Sequence, residues 1–98
     1  MASYRITSRA RANLIGIFDY TEANFGAYQA EAYYAGLIRS FGLLADFPAI
    51  GQRADELREG LRRFRFQAHI IFYTVEDDTV EIRGVLHHAR NIRPGLFT

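Results

Sequence analysis

LRRFRFQAHIIFYTVEDDTVEIRGVLHHAR, Leu61 to Arg90, decides the fold of this chain. Its side chains alternate with a period of two. Phe64, Phe66 and Ala68 share one face of a strand, and Arg63, Arg65 and Gln67 share the other. Ile70 to Val75 is apolar on both faces, the pattern of a central strand. Glu76, Asp77 and Asp78 mark a turn. Thr79 to Leu86 is the last strand, with Val80, Ile82, Gly84 and Leu86 alternating against Glu81, Arg83, Val85 and His87. The stretch reads as two antiparallel hairpins in tandem.

Upstream the period changes to that of a helix. Tyr4 to Thr7 (YRIT) alternates as a short first strand, and Ser8 is placed to cap a helix with its hydroxyl. Arg11 stands where a capping box would need Glu or Gln. Leu14, Ile17, Phe18, Thr21 and Phe25 then mark one helical face, and Gly26 supplies the stop. Ala30, Tyr33, Tyr34, Leu37, Phe41 and Leu44 mark a second helix that Pro48 cannot continue. A single glycine between the two implies an antiparallel helical hairpin. Gly36 and Gly42, each costing up to about 1 kcal/mol against alanine, read as points of close packing. Ile50 to Gly60 (IGQRADELREG) reads as a polar connection with one helical turn at Ala54–Arg58. The order β-α-α-β-β-β predicts an α+β domain over residues 1–98, an antiparallel sheet covered on one face by the helical hairpin.

The totals narrow the function classes. Ninety-eight residues make one domain. Cysteine is absent, which excludes disulfides, thiolate metal sites and a Cys nucleophile. MASYRITSRARANL carries no apolar run, so no signal peptide is read, and Ile70–Val75 is too short to span a bilayer. The expectation is a cytoplasmic protein. A net charge of +1 argues against nucleic-acid binding by bulk electrostatics, and no direct sequence-specific binding is expected. All twelve basic residues are arginine; coding bias is the plainer account, and selection for guanidinium chemistry the other.

Neither GxGxxG nor GxxxxGK[ST] occurs. His87 and His88 are neighbours on a strand, so their side chains are expected on opposite faces, unable to chelate one ion together. No cofactor is expected. Ser3, Ser8 and Ser40 read as terminus, cap and helix surface, and Asp55–Glu56 and Asp77–Asp78 as solvated turns. Arg63 and Arg65, joined by Arg83, form a cationic sheet face expected to be open to solvent. That face is either an ordinary solvated surface or a grip for an anionic partner.

Phe64 to Arg90 carries a further signal. FRFQAHIIFYTVEDDTVEIRGVLHHAR resembles the C-terminal half of the RelE/ParE toxin superfamily, and specifically its ParE branch: an arginine-bearing strand, an (L/I)-I-F-Y-x-V-E-D strand and turn, and a closing strand with V-L-H-x-x-R. The turn lacks the glycine many relatives carry. The resemblance implies a toxin of a type II toxin–antitoxin pair. Such a toxin inhibits growth by binding and poisoning DNA gyrase, with no catalytic residues of its own, and a ParD-like antitoxin neutralises it. It also implies target-facing residues near the last strand's end, so the candidate target- or partner-binding set is Arg63, Arg65, Arg83, His87, His88, Arg90 and Arg93. Antitoxins of this kind fold on binding and need an apolar groove, for which Phe18, Tyr33 and Tyr34 are candidates.

Other members of the superfamily are ribosome-dependent mRNA endonucleases, which use Lys, Arg, Tyr or His on the ribose and phosphate. Here lysine is absent and a guanidinium is a poor proton acceptor, which leaves His87 and His88 as the base and Tyr73 beside them. That mechanism is the alternative reading, and an inactive toxin-like binding domain is the third.

Overall fold

The computed structural model describes residues 3–97. β1 (Ser3–Ile6) leads into α1 (Ser8–Phe25) and α2 (Ala27–Asp46), followed by β2 (Gln52–Arg53), β3 (Arg62–Phe66), β4 (His69–Glu76) and β5 (Thr79–His87). The strands form one sheet in the order β1-β5-β4-β3-β2. The α+β class and the helical hairpin are as the sequence implies. Two details are additions: β1 joins β5 in parallel, and the two-residue β2 extends the edge beside β3. Nothing local fixes the direction of β1, because its partner lies at the far end of the sequence.

Thr7, not Ser8, caps α1. Its extended backbone continues β1, and its hydroxyl accepts the Ala10 N–H at 3.2 Å. Gly26 ends α1 and opens α2 with φ 91° and ψ 165°, a conformation open to glycine alone.

The main core lies between the helices and the sheet. Leu14, Leu37, Phe41 and Leu44 pack on Ile71, Tyr73, Val80 and Ile82, with Phe64 and Phe66 beside them. Gly36 lets α2 approach β3: a Cβ there would lie 2.3 Å from Phe66 Cζ. Gly42 has no atom within 4 Å of such a Cβ, so close packing accounts for Gly36 only. The Tyr73 hydroxyl donates to the Pro48 carbonyl at 2.8 Å and accepts the Gly51 N–H at 3.0 Å, tying the segment after α2 to the central strand.

A second core fills the other sheet face. Ala54, Leu57 and Leu61 pack with Phe72, Leu86 and Phe97. The 50–60 connection is therefore not simply polar. Its apolar residues recur at spacings of three and four, and a turn from the Leu57 N–H to the Ala54 carbonyl (3.0 Å) aims them at the sheet. Phe97 lies over Phe72 with centroids 4.7 Å apart and above Gly84, where a Cβ would come within 2.7 Å of its ring. β4 is apolar on both faces because both faces are covered.

Phe72 pairs with Gly84 but Tyr73 pairs with Ile82, so Arg83 is an extra residue in β5. This bulge breaks the alternation read through Leu86. Val80, Ile82 and Val85 face the helices, while Leu86 belongs to the second core. The β4–β5 turn holds Asp77 and Asp78 at φ 48° and 60°, the paired left-handed geometry of a two-residue hairpin, which aspartate tolerates without glycine.

Candidate partner-binding site

The expected open cationic face is half covered. Arg63 pairs with Phe72 and Arg65 with Ile70 on β4, and both of those apolar neighbours belong to the second core or pack against it. Arg63 is half-buried and holds Glu56 at 3.1 Å. Arg65 is exposed, and its Nε donates to the Gln67 carbonyl at 2.7 Å. Arg83 does not join them. As the bulged residue it turns toward the β4–β5 turn, where its guanidinium reaches Thr74 Oγ1 at 2.9 Å, Glu76 at 3.0 Å and Glu81 at 2.9 Å. Glu81 also holds Arg5 at 2.8 Å, and the Arg5 hydrogen bond with the nearby guanidinium charges keeps its carboxyl below the usual carboxylate range. Phe72, Gly84 and Phe97 lie between Arg83 and Arg63.

The histidines meet at the opposite end of the sheet. His69 and His87 are cross-strand partners on the helix side, rings edge to face at 5.4 Å. His87 and His88 stack at 4.7 Å rather than pointing apart, because β5 ends at His87 and strand alternation no longer governs His88. His87 Nδ1 accepts the Ala89 N–H at 3.1 Å, which fixes its ring. Tyr33 on α2 reaches over this corner: its hydroxyl meets His69 Nδ1 at 2.7 Å and accepts the Ala68 N–H at 3.2 Å.

Burial, with the charges of His87 and His88 adding to it, pushes His69 down to about 4. Its ring is therefore neutral at pH 7, with Nδ1 accepting from the Tyr33 hydroxyl. Burial also pushes the Tyr33 phenol up, against the lowering effects of the Ala68 N–H and Arg65. Partial desolvation, Arg65 and His87 push His88 down. Arg90 shares a hollow with Tyr20, Gly16 and His87 on the flank of α1, and Arg93 is exposed on the tail.

Two apolar hollows flank the helices. Phe18 and Tyr34 meet edge to face at 6.3 Å and line one hollow with Ile6, Leu14 and Ile15, rimmed by Arg11 and Asp19. Tyr33 lies in the other, with Tyr20, Phe25, His69 and His87. The three groove candidates are thus divided between two sides of the hairpin. Ile15 (58% exposed), Tyr20 (65%) and Phe25 (67%) are further exposed apolar side chains along α1. Ile15 was missed because it falls just off the apolar stripe, where the sequence shows only a helix flank.

Among the described residues no group of three His, Cys, Asp or Glu is placed to hold a metal ion, and no helix is long and apolar enough to cross a membrane.

The family described as the ParE toxin of the type II toxin–antitoxin system parDE matches residues 4–92. Toxin ParE1 of Caulobacter vibrioides is 38% identical over 96 residues, covering 98% of this chain and 99% of that protein. Toxin ParE1 of Mycobacterium tuberculosis is 33% identical over 94 residues, covering 95% and 96%. Among solved structures, the chromosomal ParDE toxin–antitoxin system of P. aeruginosa superposes with a TM-score of 0.77 at 18% identity, over 89% of this chain and 96% of that one. The toxin–antitoxin complex RelBE2 of Mycobacterium tuberculosis superposes at 0.68 with 22% identity, over 89% and 98%. At those identities the two structures speak to the fold alone. The sequence matches do more, and by them this chain belongs to the ParE toxins of type II toxin–antitoxin systems.

Proposed function

We propose that this chain arrests bacterial growth by binding and poisoning DNA gyrase, and that a ParD-like antitoxin neutralises it by laying a segment along the helical hairpin. The observation that carries a binding role is the row of exposed apolar side chains on α1 and α2 with hollows beside them. Ile15, Tyr20 and Phe25 remain largely in solvent and Tyr34 partly so, although the chain has two cores to bury them in. An apolar surface of this kind is the usual mark of a partner site. A segment that folds on binding can fill both hollows, with Phe18 and Tyr34 in one and Tyr33 in the other.

The histidine corner supports binding over bond-breaking. His69 is neutral at pH 7 and already hydrogen-bonded, so it is a weak proton donor there. Tyr33, pushed up, keeps its proton at pH 7 and so offers no phenolate base. The pair joins α2 to the β3–β4 turn, with the Tyr33 hydroxyl and His69 Nδ1 engaged by each other. The chain also lacks lysine. Membership in the ParE toxins supports gyrase as the proposed target, and Arg65, His87, His88, Arg90 and Arg93 are the surface proposed to meet it.

Purified chain added to gyrase and relaxed plasmid tests the reading. Supercoiling should fall with toxin concentration and recover when the cognate antitoxin is added first. Full supercoiling in the presence of excess folded chain would end the gyrase assignment. Cleavage of a message on programmed ribosomes would instead support the endonuclease reading.

A further inference from the structure

We propose that Arg9, Arg58 and Arg83 form an oxyanion site that takes a dianionic phosphate group. These side chains come from three elements, the start of α1, the 54–61 connection and the β5 bulge. With Thr7 and Phe97 they line a concavity of about 340 Å³ at the start of α1, on the tail side of the sheet. No target or antitoxin residue proposed above lies in it except Arg83.

The charges in this region do not balance. Arg5, Arg9, Arg58 and Arg83 stand against Glu76 and Glu81, an excess of two positive charges. Glu76 and Glu81 are both engaged by Arg83, and Glu81 by Arg5 as well. The Arg58 guanidinium has no hydrogen bond or ion pair to any described residue. Its charge reaches Glu81 only as a weak contribution to that carboxyl's lowering. Arg9 donates to the Leu96 carbonyl, and its guanidinium lies 5.8 Å from the centre of the Phe97 ring, which holds it at the rim. Thr74 and Glu76 and Glu81 likewise hold Arg83.

The first turn of α1 carries no acidic residue and adds its own positive end to the same place. The guanidinium groups carry the site; the helix end only adds to its potential. Arg9 is held by carbonyl and ring contacts and Arg83 by carboxylates, so like charges gather here with no carboxylate beyond Glu76 and Glu81 set against them among the described residues. An external dianion relieves that repulsion and accepts the planar N–H pairs that guanidinium offers. A phosphate group matches both the charge and the acceptor count.

Two sources present such a group, free phosphate and a terminal phosphomonoester of a nucleic acid strand. Calorimetric titration of the whole chain separates them. One arm uses inorganic phosphate. The other uses a short single-stranded DNA with a 5′-phosphate, and the same strand without it serves as the control.

Binding in either phosphate arm is expected, with Arg58→Gln and Arg9→Gln each weakening it by about tenfold or more, as for charge-assisted hydrogen bonds. Phosphate should also raise the melting temperature of the parent chain and leave that of Arg58→Gln unmoved. Arg58→Gln itself should melt no lower than the parent, since the guanidinium it removes has no partner to lose. Absence of binding to both phosphate probes would overturn the proposal, as would unaltered affinity in both variants or equal binding of the strand with and without its phosphate. None of these results bears on the gyrase reading, which rests on other residues.

Discussion

His69→Gln isolates the physics of the histidine corner. In the folded chain His69 titrates at about 4, against an ordinary 6.5. Between those values the unfolded chain binds a proton that the folded chain refuses. Stability therefore falls as pH drops through that window, and the loss is complete below about pH 4. Taken at face value the shift is worth about 3.4 kcal/mol. The ring is half-exposed and solvent screens it, so about half of that is the better figure, of which about 1 kcal/mol falls between pH 7 and pH 5. The hydrogen bonding agrees in sign. Protonated His69 turns Nδ1 into a donor, and the Tyr33 hydroxyl, already accepting the Ala68 N–H, must redirect its proton to the Phe66 carbonyl at 3.4 Å. Urea unfolding at pH 7 and pH 5 should show the parent losing about 1 kcal/mol more than His69→Gln, which carries no titrating ring. NMR titration of the imidazole should place its midpoint far below that of a free histidine. Equal losses in the two proteins, or a midpoint near 6.5, would refute the reasoning.

Three other perturbations test separate parts of the account. Tyr73→Phe leaves the Gly51 N–H and the Pro48 carbonyl without their shared partner, which should cost about 2–4 kcal/mol and lower the melting temperature by roughly 10 °C or more, read by calorimetry. Phe97→Ala uncovers Phe72 and Gly84 and should cost about 2–4 kcal/mol in chemical unfolding; a loss near zero would show that the tail does not hold the second core. Ile15→Glu and Tyr34→Ala should weaken antitoxin binding by about tenfold or more while the melting temperature stays within a few degrees, measured by calorimetric titration of the isolated partners.

What the sequence disclosed follows from which interactions are local. The switch to a period of two near Arg62 is a local property, and it located β3 and β4 closely. The doubly apolar run Ile70–Val75 identified β4 as central before either covering layer was known. Gly26 marked the helix junction because only glycine adopts its backbone geometry. The failures need a partner strand or a covering segment. The Arg83 bulge exists only in the register with β4, so the faces beyond it were misassigned. Ala54, Leu57 and Leu61 look like stray apolar residues among charges until Phe97 returns to close over them. Thr7 and Ser8 are both competent caps, and only the path of β1 selects between them. Within the candidate site, the grouping of the arginines and histidines was not legible. Arg83 is separated from Arg63 by a second core, and Tyr33 lies beside His69 in a different hollow from Phe18 and Tyr34.

The most direct test is whether this chain traps gyrase on cleaved DNA. Plasmid, gyrase, ATP and purified chain should yield linearised DNA after detergent and protease treatment. The account predicts cleaved plasmid together with an intact message in a parallel translating-ribosome reaction. A cut message beside untouched plasmid would contradict it.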